Sequence, residues 1–288
     1  MPPKSLLRFS RPPIDYGLST KMYDKNLFKN KTALVTGGRS GIGYAITKMM
    51  LEHGAKVTIC SRKEDLLAKA AAELQAYGDC DYRPCDTRET EQIQALAAQI
   101  KERHGKLDIL VNNAGGQFPA LAEMINDKGW NAVIRNNLNG TFFMSREMAK
   151  AFFIPQKQGI IVNITANVMR GFPGMIHTGA ARAGVENMTK TLAQEWADFN
   201  IRINCIAPGI IESSGLDQYP APIQEMFEEA MKAIPLHRFG KVEDVANAVC
   251  FFASPLASYI TGTTLYVDGA QHLSYDNMGL ARVMKSFM

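Results

Sequence analysis

The chain has 288 residues, 46% of them hydrophobic and 21% charged, which fits a globular α/β protein of one domain. Lys plus Arg exceed Asp plus Glu by 32 − 28 = 4, and the two signs are mixed along the chain, which argues against nucleic acid or a membrane surface as a partner. No run approaches ~18 apolar residues, residues 1–31 have no apolar signal-like stretch, and the five cysteines (Cys60, Cys80, Cys85, Cys205, Cys250) offer no second Cys/His pair at zinc spacing. A metal-free protein of the reducing cytoplasm is the expectation.

In chain order, a polar, Pro-containing extension covers residues 1–28. A β-branched run at 32–36 predicts a strand, 42–53 a helix, 56–60 a strand and 63–77 a helix. A weaker strand at 81–85 and a helix at 87–104 follow, then a strand at 107–111 and a helix at 130–153. The series closes with a strand at 159–164, a helix at 179–199, a strand at 201–206, a helix at 242–253 and a strand at 263–267. Ala181, Val185, Met188, Leu192 and Trp196 make one apolar stripe along the fifth helix. Apolar strands alternating with helices predict a single doubly wound Rossmann-type α/β domain at 29–270, with a seven-strand parallel sheet and ligands at the carboxyl ends of its strands. Residues 212–240, with an amphipathic segment at 223–233, read as a substrate loop, and 271–288 as a C-terminal tail.

The run Thr36-Gly37-Gly38-Arg39-Ser40-Gly41-Ile42-Gly43 follows the first strand and opens a helix. Small residues there let the backbone turn sharply and approach a pyrophosphate, which the unpaired N–H groups of the helix end attract. With its Gly-x-x-x-Gly-x-Gly spacing, this run resembles the short-chain dehydrogenase/reductase family. Further residues match that family in order: Asp86, Asn112-Asn113-Ala114-Gly115, Asn137-Leu138-Asn139-Gly140, Asn204-Cys205-Ile206-Ala207-Pro208-Gly209 and Val267-Asp268-Gly269. The resemblance implies a nicotinamide cofactor held by Gly37, Arg39, Ser40, Gly41, Ile42 and Gly43, with Asp86 at the adenine. Asn113, Ala114 and Gly115 then lie on the adenosine side, and Pro208, Gly209 and Ile211 beside the nicotinamide. Asn137 matches the family's active-site asparagine.

Charge predicts which cofactor. NAD binders place an acidic residue after the second strand for the ribose 2′-hydroxyl. This chain reads Cys60-Ser61-Arg62 there, and no carboxylate comes before Glu64. A guanidinium at 62 suits a 2′-phosphate, with Arg39 on its other side. NADPH is expected over NADH.

One motif departs from the family. Most members carry Tyr four residues before Lys at the start of the fifth helix, as acid/base and ribose holder. Here that stretch is His177-Thr178-Gly179-Ala180-Ala181-Arg182, with Thr178 at the Tyr position and Arg182 at the Lys position, and no Tyr falls between Tyr82 and Tyr219. The family's Ser position falls on Thr165 or Ala166. Threonine is too weak an acid to replace tyrosine, and arginine stays protonated. Arg182 is expected to hold the ribose hydroxyls, Thr178 to be either a hydrogen-bond donor or a helix N-cap, and His177 to be a proton donor or a structural residue.

The run Gly171-Phe172-Pro173, followed by His177 to Gly184, is similar to the branch of peroxisomal trans-2-enoyl-CoA and 2,4-dienoyl-CoA reductases. That branch implies reduction of a C=C bond conjugated to a thioester, through an enolate stabilised by donors such as Asn137, Thr165 and Thr178. The terminus Lys285-Ser286-Phe287-Met288 is not of the peroxisomal Ser-Lys-Leu type. The His-Thr-Gly-Ala-Ala-Arg run and Ser213 to Tyr219 also resemble bacterial citronellol/citronellal dehydrogenases, which act on branched acyclic terpenoids. A catalytically inactive nucleotide-binding subunit is the third reading. Surplus apolar residues on two helices (Phe142, Phe143, Met148, Phe152, Trp196) predict a homo-oligomer, dimer or tetramer.

Overall fold

The computed structural model describes residues 23–212, 231 and 233–273. Strand β1 (Thr32–Thr36) is buried at every residue, as a strand covered on both faces must be. With β2 (Lys56–Ser61), β3 (Cys80–Pro84), β4 (Ile109–Asn112), β5 (Gly159–Ile164), β6 (Ile201–Pro208) and β7 (Thr264–Val267) it forms a parallel sheet of order β3-β2-β1-β4-β5-β6-β7. The order reverses between β1 and β4, which opens a crevice at their carboxyl ends. The seven-strand parallel expectation is met.

Helices α1 (Gly41–Glu52), α2 (Glu64–Leu74) and α6 (Val242–Ala253) cover one face, around Ile46, Met50, Leu67, Leu74 and Val249. The other face carries α3 (Thr90–His104), α4 and α5 (Ile176–Glu195), around Ile93, Leu96, Met144, Phe152, Phe153 and Leu192. Helix α4 is continuous from Asp127 to Gln156, but its α-helical pieces (Asp127–Ile134, Gly140–Met148, Ile154–Gln156) are joined by π turns at Arg135–Asn139 and Ala149–Phe153. It begins three residues before the predicted 130, because Asn126 caps it by accepting the Gly129 N–H at 2.8 Å. Helix α5 also starts three residues early, so Gly179 lies inside it. Strand β6 runs two residues past 206, since β7 pairs with it as far as Pro208.

Tyr23 to Lys31 is tied to the domain. Phe28 is buried in the core, its N–H donates to the His53 carbonyl at 2.9 Å, and the Tyr23 hydroxyl donates to the Asn247 carbonyl at 3.0 Å. A buried polar chain crosses the middle of the sheet. Asn112 Nδ2 donates to Ser145 Oγ (2.9 Å) and Asn163 Oδ1 (2.8 Å), Asn163 Nδ2 to Thr189 Oγ1 (2.8 Å), and Cys205 Sγ to the same hydroxyl (3.1 Å). All five cysteines are buried and unpaired. Of the residues read as surplus apolar surface, Met148 and Phe152 are 0% and 2% exposed inside this chain's own core, which leaves Phe142, Phe143 and Trp196 half-buried. No helix among the described residues is long and apolar enough to cross a membrane.

Candidate functional site

The glycine run sits at the carboxyl end of β1, where the backbone must turn at once into α1. Gly37 takes φ +67°, a left-handed conformation that suits glycine, and its N–H donates to the Cys60 carbonyl at 2.8 Å. A Cβ on Gly43 would overlap the Gly37 carbonyl, so helix and turn approach more closely than a side chain allows. Asn113 holds the turn from β4: its Nδ2 donates to the carbonyls of Thr36 (3.0 Å) and Gly37 (3.3 Å). The N–H groups of Asn113 and Ala114 donate to Thr36 Oγ1 at 3.0 and 2.9 Å. Ser40 is the N-cap of α1 but makes no side-chain cap, so the first-turn amides around Gly41 and Ile42 keep their anion-binding capacity.

Next to this turn, Ser61 Oγ is buried without a hydrogen-bond partner, and Arg62 beside it is exposed. Neither Arg62 nor the half-buried Arg39 pairs with a carboxylate among the described residues. Asp86 is engaged by Arg88, whose Nε lies 2.9 and 3.1 Å from its two oxygens. Arg88 first, with Arg62 adding a smaller pull, holds the Asp86 carboxyl below the usual carboxylate range. A glycine cradle, an uncapped helix end, an orphaned hydroxyl and unpaired cations fit a phosphate-rich dinucleotide.

The second half of the site lies where β4, β5 and β6 end. Arg182, on α5, is buried, donates from Nη1 to the Ile164 carbonyl at 2.7 Å, and has no carboxylate partner among the described residues. Burial pushes its pKa down to about 10, which leaves it charged at neutral pH. Its Nη2 lies over Gly115, where a Cβ would overlap it and sit 2.8 Å from Asn137 Oδ1. Arg182, Gly115 and Asn137 therefore converge. Asn137 stands in the first π turn, and both its amide hydrogens are engaged, with the carbonyls of Gly116 (2.7 Å) and Val133 (2.9 Å). Its side chain positions the Gly115–Gly116 loop and has no hydrogen left for a substrate oxygen, contrary to the donor role expected for it.

Thr178 is fully buried and is the third residue of α5; Met175 is the N-cap, without a side-chain bond, so the capping reading of Thr178 is corrected. Thr178 lies one helical turn before Arg182, on the same side of α5. Thr165 follows Ile164, and its hydroxyl is already engaged, shared between the Ile206 carbonyl (3.2 Å) and Glu186 Oε1 (3.4 Å). Burial raises the Glu186 carboxyl above its ordinary value. His177 is fully buried, with its ring edge-on to Phe118 at 4.5 Å between centroids. Pro208 and Gly209 stand at the carboxyl end of β6. The Gly209 N–H donates to the Val267 carbonyl at 3.0 Å, and Ile211 bridges to Gly240. The 213–219 run, the 223–230 part of the amphipathic segment and the 285–288 terminus lie outside the described residues.

Three contributors escaped the sequence reading. Arg88 was legible, because its N–H closes a turn on Asp86 Oδ1 at 3.1 Å, a two-residue spacing typical of aspartate. Ser61 was in view but given no part, and Phe118 carries no local signal.

A family model described as enoyl-(acyl carrier protein) reductase matches residues 37–272. The peroxisomal 2,4-dienoyl-CoA reductase of Pongo abelii is 37% identical over 260 residues, covering 89% of this chain and 88% of that protein. The 3-oxoacyl-[acyl-carrier-protein] reductase FabG of Thermotoga maritima is 38% identical, covering 84% and 97%. Among solved structures, the citronellol catabolism dehydrogenase AtuB of Pseudomonas aeruginosa superposes with a TM-score of 0.78 at 37% identity, covering 87% of this chain and 98% of that one.

Proposed function

Because the chain belongs to the short-chain dehydrogenase/reductase family of NAD(P)-dependent oxidoreductases, we propose that it reduces, with NADPH, a C=C bond conjugated to the carbonyl of an enoyl-CoA-type thioester. One observation carries this reading. At the positions where the family's Tyr and Lys fall in register stand a buried threonine and a buried guanidinium without a carboxylate. Reduction of a ketone leaves an alkoxide that needs a proton donor near neutral pH, which neither side chain is. Reduction of a conjugated C=C bond leaves an enolate, which calls instead for oriented donors and positive charge.

When bound, the cofactor supplies hydride to the β-carbon. Gly37 to Gly43 would cradle its pyrophosphate, and Asn113, Ala114 and Gly115 would border the adenosine side. Arg62, with Ser61 Oγ beside it and Arg39 opposite, would take the 2′-phosphate; Arg88 would share Asp86 with the adenine. Pro208, Gly209 and Ile211 would wall the nicotinamide. Arg182 would hold the ribose hydroxyls and keep a positive charge next to the reacting atoms. The Thr178 hydroxyl would donate to substrate, while Asn137 keeps the Gly115–Gly116 loop in place and Thr165 ties β5 to β6.

The likeness to a citronellol catabolism dehydrogenase supports a second reading, oxidation of a branched acyclic alcohol. That reaction needs a base for the hydroxyl proton, and Thr178 and Arg182 supply none. The experiment is cofactor turnover with three panels: trans-2-enoyl-CoA thioesters of varied length, 3-ketoacyl thioesters, and acyclic terpenoid alcohols with oxidised cofactor. NADPH consumption with the enoyl thioesters is expected. Turnover of the terpenoid alcohols alone would replace the reading by the second one, and cofactor binding without turnover in any panel would point to a non-catalytic subunit.

A further inference from the structure

His177 is the second residue of α5, 0% exposed, one position before Thr178. Its Nδ1 accepts the backbone N–H of Thr178 at 2.8 Å, and the Thr178 hydroxyl lies 3.3 Å from the same nitrogen. A nitrogen that accepts a backbone N–H carries no proton, so the ring is neutral and its single hydrogen is on Nε2. That Nε2–H has no partner, although buried donors are nearly always satisfied. The ring also packs edge-on against Phe118, which is part-exposed on the loop that carries Gly115 and Gly116. The same loop is strapped to the segment before α5 by the Ala120 N–H donating to the Gly174 carbonyl at 2.8 Å. The imidazole is thus held by its own helix end, in one tautomer, between the two segments that border the Thr178–Arg182 cluster.

We propose that the Nε2–H of His177 is a hydrogen-bond donor to the carbonyl oxygen of the substrate, acting beside the Thr178 hydroxyl that stands at the missing tyrosine's position. This rests on the thioester-reduction reading above. Hydride adds at the β-carbon, the π electrons of the C=C bond move to give the enolate, and water protonates the α-carbon. His177 keeps its proton throughout and stabilises the enolate oxygen by hydrogen bonding alone. A donor fixed before substrate arrives needs no reorganisation as charge builds up.

The test compares wild type with His177→Leu and His177→Gln, in enoyl-CoA turnover, NADPH titration and thermal melting. Removing one oriented donor of this kind costs ~10²–10³-fold in kcat. His177→Leu is expected to lose that much with NADPH affinity unchanged, and His177→Gln, which restores an N–H at similar reach, to recover at least about tenfold. A nitrogen-15 spectrum of the ring gives a second readout. It should show the Nε2–H tautomer in the free protein, and a shifted Nε2–H resonance when NADP⁺ and a saturated acyl-CoA are added. Equal activity of the two variants, turnover of His177→Leu at the wild-type rate, or an Nε2–H unmoved by bound acyl-CoA overturns the role of His177. A wild type inactive on every enoyl thioester instead overturns the reaction itself.

Discussion

Gly115→Ala tests whether the Arg182 guanidinium sits where the chemistry happens. The added Cβ would overlap Nη2, and non-bonded carbon contacts settle near ~3.5 Å, so the guanidinium must retreat by about 1 Å. Nη2 is the tip of a flexible side chain, which makes the movement possible, but it stretches the 2.7 Å bond from Nη1 to the Ile164 carbonyl. A hydrogen bond to a charged group contributes roughly 1.5–3 kcal/mol, and a domain of this size loses roughly 2–4 °C of Tm per kcal/mol. A fall in Tm of about 5 °C is therefore expected. A misplacement of 1 Å at a reacting centre costs on the order of 10²-fold in rate, so kcat/KM should fall far more than stability does. Gly116→Ala is the control, since its Cβ meets Asn136 Nδ2 alone, at 3.0 Å. The assays are melting, cofactor titration and turnover on one protein preparation. Gly115→Ala with wild-type kcat/KM and cofactor affinity would refute the placement of Arg182.

Arg62→Ala should weaken NADPH binding by roughly 10–100-fold, the worth of one charged hydrogen bond, and leave NADH unchanged; calorimetry with both cofactors reads this, and an unaltered preference rejects Arg62 as the 2′-phosphate ligand. Asp86→Asn should cost no more than about 1 kcal/mol at pH 7, the pair with Arg88 being partly exposed. Because Arg88 lowers the folded-state pKa, that stabilisation is complete above the unfolded value of ~3.9 and is lost as pH falls through the folded value. Urea unfolding of both proteins at neutral and strongly acid pH should show the gap closing, and a gap that widens on acidification contradicts the sign. Light scattering at micromolar concentration should give more than one subunit, through the half-buried Phe142, Phe143 and Trp196; a monomer rejects this.

The sheet was legible because a strand buried on both faces is mostly apolar, and Thr32–Thr36 or Gly159–Ile164 admit no helical period. Helix ends were less so. Asn126 is an ordinary capping residue whose effect shows only once its side chain is seen to accept the Gly129 N–H, and Met175 gives no capping signal at all. The glycine turn could be read from spacing, since both its strand and its helix were in view. Asn137 was recognised from its motif, yet its use in holding Gly116 depends on a π turn that no periodicity announces. The orphaned nitrogen of His177 depends on a contact with the next residue's own backbone, which composition cannot reveal.

The chain of side chains from Ser145 through Asn112 and Asn163 to Thr189 also limits how this protein can drift. Replacing Asn163 by an apolar residue strands an amide hydrogen on Asn112 and takes one of two donors from the Thr189 hydroxyl, which keeps Cys205 Sγ. Stranding one buried partner costs about 1–3 kcal/mol, whereas exchanging a whole bonded set for apolar groups of the same shape can be nearly neutral. A single apolar replacement at one of these positions, on β4, β5, α4 and α5, therefore carries a cost that a joint exchange avoids.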